Sequence, residues 1–224
     1  MKKYAVIVAG GSGQRMGAAM PKQFLLLQQK PLLWYSLQTF LQAFDDLQII
    51  LVLPKENLTE GEQIAKDLDA ENRIMITTGG ATRFHSVQNG LALVESPSVV
   101  FVHDGVRCLV SKDLIHRCYE QTIEKGSAIP AVAATDSIRI ANGTDHTVAD
   151  RNHVRIIQTP QTFLSAILLP AFNTNYQESF TDEATVVEAS GQKVFLIDGE
   201  YENIKITRPA DLLIAEQILA SRTA

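Results

Sequence analysis

The chain has 224 residues, of which 46% are hydrophobic and 20% are charged. This composition is typical of a globular domain and excludes a disordered chain, a collagen-like repeat and a coiled coil. The length fits one α/β domain with a full core, so we expect residues 1–224 to form a single domain. With 20 Lys and Arg against 25 Asp and Glu, the net charge is −5. No overall positive field would therefore hold a nucleic acid or an anionic membrane.

The cysteine content indicates neither a disulfide framework nor a structural zinc site. Cys108 and Cys118 are the two cysteines, without a CxxC motif or a zinc-like Cys/His spacing. The apolar run after Lys2 and Lys3 is too short for a signal peptide, and no segment approaches the roughly 18 apolar residues of a membrane span. We therefore expect a reducing, cytoplasmic location and no membrane partner.

Short apolar runs rich in Val and Ile alternate along the chain with segments of helical periodicity. Runs without polar alternation predict strands buried on both faces, as in a parallel sheet. The predicted strands are residues 4–9, 48–53, 73–77, 99–103 and 128–133. The predicted helices, with apolar residues three or four positions apart, are residues 32–44, 58–68, 84–94 and 112–124. This repeated βαβ order predicts an α/β fold, a Rossmann-like three-layer αβα sandwich with a mostly parallel sheet.

Residues 136–150 interrupt this order with two polar strands around Asn142-Gly143-Thr144, which is a turn signal. We interpret residues 136–153 as a protruding β-hairpin arm. Such an arm buries too little apolar surface to be stable alone, so it should pack on its own domain or on a second subunit. A mobile surface hairpin is the alternative. After the arm, the pattern predicts strands at residues 154–158, 193–197 and 203–206 and helices near residues 164–175, 182–189 and 209–219.

A glycine-rich turn follows the first predicted strand, and it carries Arg15 and, further along, Lys22. Backbone N–H groups at the carboxyl edge of a parallel sheet are where phosphates bind in such folds. Gly11, Gly13 and Gly17 give GxGxxxG rather than the dinucleotide motif, and the phosphate-loop motif GxxxxGK[ST] is absent. Two cations near one turn suit phosphoryl or nucleotidyl transfer, in which fixed positive charge stabilises a pentacoordinate phosphorus. From spacing alone, a turn with two solvated cations is the alternative.

Several segments, in chain order, carry a resemblance to a known family. They are residues 9–16 with 21–23, 102–107, 150–152, 158–163, 181–184 and 203–209. The first resembles the signature of sugar- and alditol-phosphate nucleotidyltransferases. Together they resemble the 2-C-methyl-D-erythritol 4-phosphate cytidylyltransferases of the non-mevalonate isoprenoid pathway, over nearly the whole chain.

The resemblance implies transfer of CMP from CTP to 2-C-methyl-D-erythritol 4-phosphate with release of pyrophosphate. It also implies Mg²⁺ or another divalent cation on the triphosphate. A related enzyme acting on a pentitol phosphate such as ribitol 5-phosphate would share most of these motifs and stays an alternative. A nucleotide-binding regulator without turnover is the alternative from another class, although retention of Arg15 and Lys22 argues against it.

The resemblance also implies roles for individual residues. Arg15 and Lys22 would stabilise the transition state, whereas Arg151, Lys205 and Thr159 would hold the incoming alditol phosphate. The nucleotide would contact residues of the glycine turn and of a base-reading segment at residues 79–86, namely Ala9, Gly10, Gly11, Gly13, Gly80 and Ser86. In the resembled family the arm intertwines two protomers. This predicts a homodimer in which Ser137 and Arg151 enter the partner's site.

Asp104 ends a predicted strand at the ligand-binding edge, where a carboxylate can contact Mg²⁺ or a substrate hydroxyl. His103 precedes it, but a GxSxG elbow is absent and adjacent strand residues point to opposite faces, so a hydrolytic triad is disfavoured and His103 is interpreted as structural. For Arg107, contact with the polyol portion of the substrate and pairing with an acidic neighbour both stay open. Ala81 departs from the family's pattern, in which many relatives have an acidic residue.

Overall fold

The structure, a computed structural model, describes residues 1–10 and 21–223. The strands in this part of the chain are β1 (Lys2–Val8), β2 (Leu26–Leu27), β3 (Lys30–Pro31), β4 (Leu47–Leu53), β5 (Ile74–Thr78), β6 (Ser98–Asp104), β7 (Ser127–Ala133), β8 (Ile138–Asn142), β9 (Asp145–Ala149), β10 (Arg155–Ile157), β11 (Gln161–Leu164) and β12 (Leu196–Asp198). The helices are α1 (Leu32–Ala43), α2 (Leu58–Asp67), α3 (Arg83–Leu91), α4 (Lys112–Lys125), α5 (Ser165–Ala171), α6 (Glu183–Ala189) and α7 (Pro209–Thr223).

The central sheet has the strand order β10-β7-β11-β6-β1-β4-β5, and β12 also pairs with β7. β1 lies between β4 and β6 and is parallel to both, and β5 is parallel to β4. β11 is antiparallel to β6 and to β7, so those two strands run in the same direction. The prediction of a mostly parallel sheet is confirmed, with the antiparallel β11 inserted within it.

Helices cover both faces of the sheet because alternate residues of each strand point to opposite sides. Ile7 and Ile49 belong to a core that includes buried residues of α1, α2 and α4. Their neighbours Val6 and Ile50 belong to a second core, with residues of α3, α5 and α6. Both cores are buried, so the central strands lack polar alternation. The three-layer αβα sandwich is confirmed.

The elements after residue 153 differ from the prediction in three places. The helix predicted near residues 164–175 begins at Ser165, directly after β11, but it ends early, at Ala171. The predicted strand 193–197 lies instead at Leu196–Asp198. Residues 203–206, all within the described chain, form no strand. Their backbone is bonded to the loop after β6, where the Ile206 N–H donates to the Val106 carbonyl at 3.1 Å.

The predicted hairpin is present as a separate sheet made of β8 and β9. Gly143, in the turn between them, has a φ of +62°, a conformation that costs glycine little. Ile140 and Val148 are exposed on this arm. Among the helices of the described chain, none combines the length and the apolar character needed to cross a membrane.

Candidate active site

A cleft lies at the carboxyl ends of β1 and β6, beside the start of α3, which is the edge where open α/β sheets bind ligands. It is lined by seven of the predicted site residues that the structure describes: Ala9, Gly10, Lys22, Gly80, Ser86, Asp104 and Lys205. Gly11, Gly13 and Arg15 lie outside the described residues. Their roles stay predictions.

The cleft carries more positive than negative charge. Among the described residues that line it, Lys22, Arg83 and Lys205 are cations and Asp104 is the acid. This local excess contrasts with the net charge of −5 for the whole chain. A cleft lined by one sign of charge raises the local concentration of oppositely charged ligands. The site therefore favours an anionic ligand.

Asp104 is at the centre of a group of ion pairs, which we call the Asp104 cluster: Asp104, Arg83, Lys205 and Glu183. The Lys205 Nζ lies 2.7 Å from Asp104 Oδ2, and the Arg83 Nη2 lies 3.2 Å from Asp104 Oδ1. Burial alone would raise the pKa of Asp104, but the charges of Arg83 and Lys205 outweigh it and hold that pKa well below its usual range. Asp104 is therefore a carboxylate at neutral pH.

Arg83 joins Asp104 to a second acid that does not line the described part of the cleft. The Arg83 Nη2 lies 3.1 Å from Glu183 Oε2, and the Nη1 lies 2.5 Å from Oε1, so the contact is bidentate. Glu183 is only 1% exposed. Burial raises the pKa of Glu183, and the charge of Arg83 only partly opposes this effect.

The hydroxyl of Thr159 supports the end of β6 from behind the cleft. Its oxygen accepts a hydrogen bond from the Asp104 N–H at 3.1 Å and lies 3.1 Å from His103 Nδ1. Burial lowers the pKa of His103 to about 3, so the ring is neutral and has one donor and one acceptor. With Nε2 donating to the Arg107 carbonyl at 3.3 Å, Nδ1 accepts the proton of Thr159. His103 thus belongs to the scaffold.

Arg107 is buried next to the same cluster. Its Nη1 donates to the Asn203 carbonyl at 2.8 Å, and its Nε lies 3.9 Å from Asp104 Oδ2. Of the two alternatives for Arg107, these contacts favour the acidic neighbour. They also tie the segment that precedes Lys205 to the end of β6.

The turn between β5 and α3 brings backbone close to the cleft. The Gly80 N–H donates to Ser86 Oγ at 3.1 Å, and that hydroxyl donates to the Thr82 carbonyl at 2.9 Å. A Cβ added at Gly80 would lie 2.4 Å from the Cβ of His85, so a larger residue does not fit. Glycine here permits the close packing of turn and helix at this side of the cleft.

Comparison with known proteins decides the family. The model of the 2-C-methyl-D-erythritol 4-phosphate cytidylyltransferase family, IspD, matches residues 4–221. The chain belongs to this family. It is 42% identical over 219 residues to the Bacteroides fragilis 2-C-methyl-D-erythritol 4-phosphate cytidylyltransferase, covering 98% of this chain and 100% of the relative. The relative of that name from Bacteroides thetaiotaomicron is 43% identical with the same coverage.

A solved structure agrees with this membership in the IspD family. The structure of 4-diphosphocytidyl-2C-methyl-D-erythritol synthase from Anaerococcus prevotii matches with a TM-score of 0.83 and 27% identity, and the match covers 98% of each chain. The fold and the family therefore agree over almost the entire length.

Two residues predicted for the alditol phosphate site lie away from the described cleft. Arg151 is exposed in a 3₁₀ turn at the base of the arm, and its Nη1 donates to the Thr135 carbonyl at 2.7 Å. Ser137 is also exposed, just before β8. Within one chain, neither is brought together with Lys205. Their contribution to a partner's site stays a prediction.

Sequence reasoning missed Arg83 and Glu183 as members of the Asp104 cluster. Both are first residues of helices, and Glu183 lies inside a segment, 181–184, that carried the family resemblance without a role for each residue. The signal in the sequence was the pair of opposite charges, Arg83 in the segment 79–86 and Glu183 in the segment 181–184. They are 100 residues apart, so the sequence alone does not show that they meet.

Proposed function

We propose that this chain transfers CMP from CTP to the phosphate of 2-C-methyl-D-erythritol 4-phosphate, forming 4-diphosphocytidyl-2-C-methyl-D-erythritol and pyrophosphate. Membership in the IspD family over residues 4–221 supports this nucleotidyltransferase activity. The single structural observation that carries it is the cationic cleft at the carboxyl edge of the sheet, with Lys22, Arg83 and Lys205 around one acid.

The reaction requires no protein nucleophile. A phosphate monoester oxygen of the acceptor attacks the α-phosphorus of CTP, and the bond from that phosphorus to the β-phosphate oxygen breaks as pyrophosphate leaves. Charge spreads over the phosphoryl oxygens in the transition state, so catalysis consists of positioning and charge stabilisation. In this proposal Lys22, which lines the cleft, stabilises the triphosphate. Arg15 belongs to the same proposal.

Lys205 is suited to receive the acceptor phosphate. Its ammonium pairs with Asp104 at 2.7 Å, yet its side chain is 40% exposed and has room to turn. An arriving dianion competes for this ammonium through a charge-assisted hydrogen bond. Lys205 therefore holds the phosphate without leaving the edge of the cleft, while Thr159 keeps the backbone of Asp104 in place.

Mg²⁺, or another divalent cation, is part of the proposal. The described residues include no group of three or more His, Cys, Asp and Glu that could bind a metal ion by themselves. Asp104 offers one carboxylate at the cleft, and Mg²⁺ is usually held by one or two carboxylates together with substrate phosphates. The residues present fit an ion of this kind, with Asp104 as its protein contact. When bound, such an ion neutralises charge on the triphosphate.

A homodimer with exchanged arms and a cytoplasmic location complete the proposal. The arm exposes Ile140 and Val148, and a two-stranded hairpin is at best marginally stable alone. A second copy of the chain would cover it and place Arg151 near the partner's acceptor site. Cys108 and Cys118 are free and buried, which suits a reducing compartment.

Pyrophosphate release from CTP tests the activity directly. We expect release with 2-C-methyl-D-erythritol 4-phosphate and none with CTP alone. Ribitol 5-phosphate is the matched acceptor, because it offers the same phosphate on a different polyol. Equal or faster release with ribitol 5-phosphate would favour the pentitol alternative, and no release with either acceptor would favour a protein that only binds nucleotide.

Arg151→Ala and Lys205→Ala should each raise the KM for the acceptor about tenfold or more and leave the KM for CTP nearly unchanged. Each removes a charge-assisted contact to the acceptor phosphate, and such contacts contribute about 1.5–3 kcal/mol. Steady-state kinetics with each substrate varied in turn measures the effect. Unchanged acceptor KM values in both variants would remove the acceptor-site assignment.

Co-expression of two variants tests whether Arg151 acts in the partner's site. We pair an Arg151→Ala chain with a Lys22→Ala chain and measure activity at low acceptor concentration. In a heterodimer with exchanged arms, one site receives both intact residues. Random pairing makes about half of the dimers heterodimers, so about a quarter of wild-type activity returns. If Arg151 served its own chain, activity would not return.

A further inference from the structure

We infer that Glu183 is a positioning residue for the proposed cytidylyl transfer: it holds Arg83 so that the guanidinium fixes the carboxylate of Asp104 in one orientation at the cleft. The inference rests on the proposed function. Glu183 is not among the described residues that line the cleft, whereas Arg83 and Asp104 both line it. Glu183 therefore acts through Arg83.

The guanidinium of Arg83 bridges two carboxylates. One edge makes the bidentate contact with Glu183, and the Nε and Nη2 atoms each lie 3.2 Å from Asp104 Oδ1. The other oxygen of Asp104, Oδ2, pairs with Lys205 at 2.7 Å and lies 3.9 Å from Arg107 Nε. The planar fork of arginine suits such two-sided binding, because its donors lie in fixed directions. The two oxygens of Asp104 thus have different partners.

Strand β11 fixes Glu183 relative to Asp104. Gln161 accepts the Ala184 N–H at 2.8 Å and donates to Asp182 Oδ2 at 2.9 Å, which anchors the start of α6. The same Gln161 is in register with Val102 on β6, two residues before Asp104. The start of α6 and the end of β6 are therefore attached to one strand, which limits the movement of Glu183 relative to Asp104.

Stability alone does not explain a charged residue at this position. Removing two charges from water costs about as much as their attraction returns, and an apolar pair of similar volume is often equally stable or more so. Burial raises the pKa of Glu183, which shows that its charge is disfavoured there. What the contact adds is orientation. Without Glu183, Arg83 can turn to bind both oxygens of Asp104 and compete with Lys205.

Glu183→Gln tests the inference because it keeps the shape and removes the charge. We expect kcat to fall at least about tenfold, since misplacing a group by about 1 Å can cost up to about a hundredfold. The KM values for CTP and for the acceptor should stay within about threefold of wild type. Thr185→Val is the matched control: it weakens the cap of α6 without touching Arg83 and should lower the urea midpoint while leaving kcat unchanged.

A double-mutant cycle with Arg83→Met separates positioning from a general structural effect. If Glu183 acts through Arg83, the double variant has the kcat of Arg83→Met alone. The inference would be overturned if the fold-losses in kcat of the two single variants multiplied in the double variant. A wild-type kcat for Glu183→Gln would also overturn it. If the single Glu183→Gln chain does not fold, the double variant, which lacks both charges, is compared with Arg83→Met: a kcat clearly below that of Arg83→Met would overturn the inference. If the wild-type protein released no pyrophosphate, the proposed function itself would be contradicted.

Discussion

Lys22→Ala is expected to lower kcat about 100-fold or more, which is the scale of removing one preorganised group that stabilises a developing charge. Lys22 lines the cleft and follows the glycine turn in the sequence, so its ammonium is suited to the charge of the proposed triphosphate. Arg15→Met should cause a loss of the same order. Because the effect arises in the transition state, we expect it in kcat more than in the KM for CTP.

The control for this prediction is Lys30→Ala. Lys30 is exposed, lies eight residues further along the chain and packs its ammonium over the ring of Trp34 rather than in the cleft. Its removal changes the net charge by the same amount, so it corrects for long-range electrostatics. Rapid-quench measurement of the chemical step distinguishes chemistry from product release. A loss of tenfold or less in both Lys22→Ala and Arg15→Met would contradict their assigned roles.

The fold was predictable where burial alone determines the residue type. Strand β1 is apolar because both of its faces are covered, so Val6 and Ile7 are both buried and the run lacks alternation. The same reasoning gives β4 and β6. Strand β11 is the opposite case. Gln161 and Thr162 are buried in the middle of the sheet, and polar side chains in a short segment do not predict a central strand.

What makes β11 possible is tertiary structure. Gln161 satisfies both ends of its amide with the start of α6, which follows about twenty residues later. Asn203 likewise donates to the Thr159 carbonyl, so the segment predicted as a strand is bonded outside the sheet. Polar residues buried in this way need partners that only the folded chain provides.

The site was predictable to the extent that it follows the topology. The carboxyl ends of parallel strands meet at one edge, which places Asp104 near the glycine turn. The ion-pair partners of Asp104 were harder to predict from the sequence. Lys205 was expected in the site by resemblance, but its pairing with Asp104 and the contribution of Arg83 and Glu183 depend on distances between remote segments.

Asp104→Asn is expected to lower the free energy of unfolding by about 3–5 kcal/mol at neutral pH, the cost of breaking a buried ion pair by removing one partner. Asp104 is 7% exposed and is surrounded by Arg83, Lys205 and Arg107. Without that charge, the buried guanidinium of Arg107 has no carboxylate partner within the described part of the chain. Urea unfolding monitored by circular dichroism measures the change.

Lys205→Met removes the other end of the closest ion pair and should cost about 1 kcal/mol or less, because the ammonium that is lost is 40% exposed and Asp104 keeps its ion pair with Arg83. The two ends of one contact thus differ in cost because they differ in burial.

The folded-state pKa of Asp104 is depressed, so its stabilising charge is fully present above its unfolded pKa of about 4 and is lost as the pH falls further. The difference between wild type and Asp104→Asn should therefore be constant from pH 6 to 8 and shrink below about pH 4. Equal costs for the two substitutions, or a difference that grows in acid, would show that Asp104 is not held as a buried, cation-stabilised carboxylate.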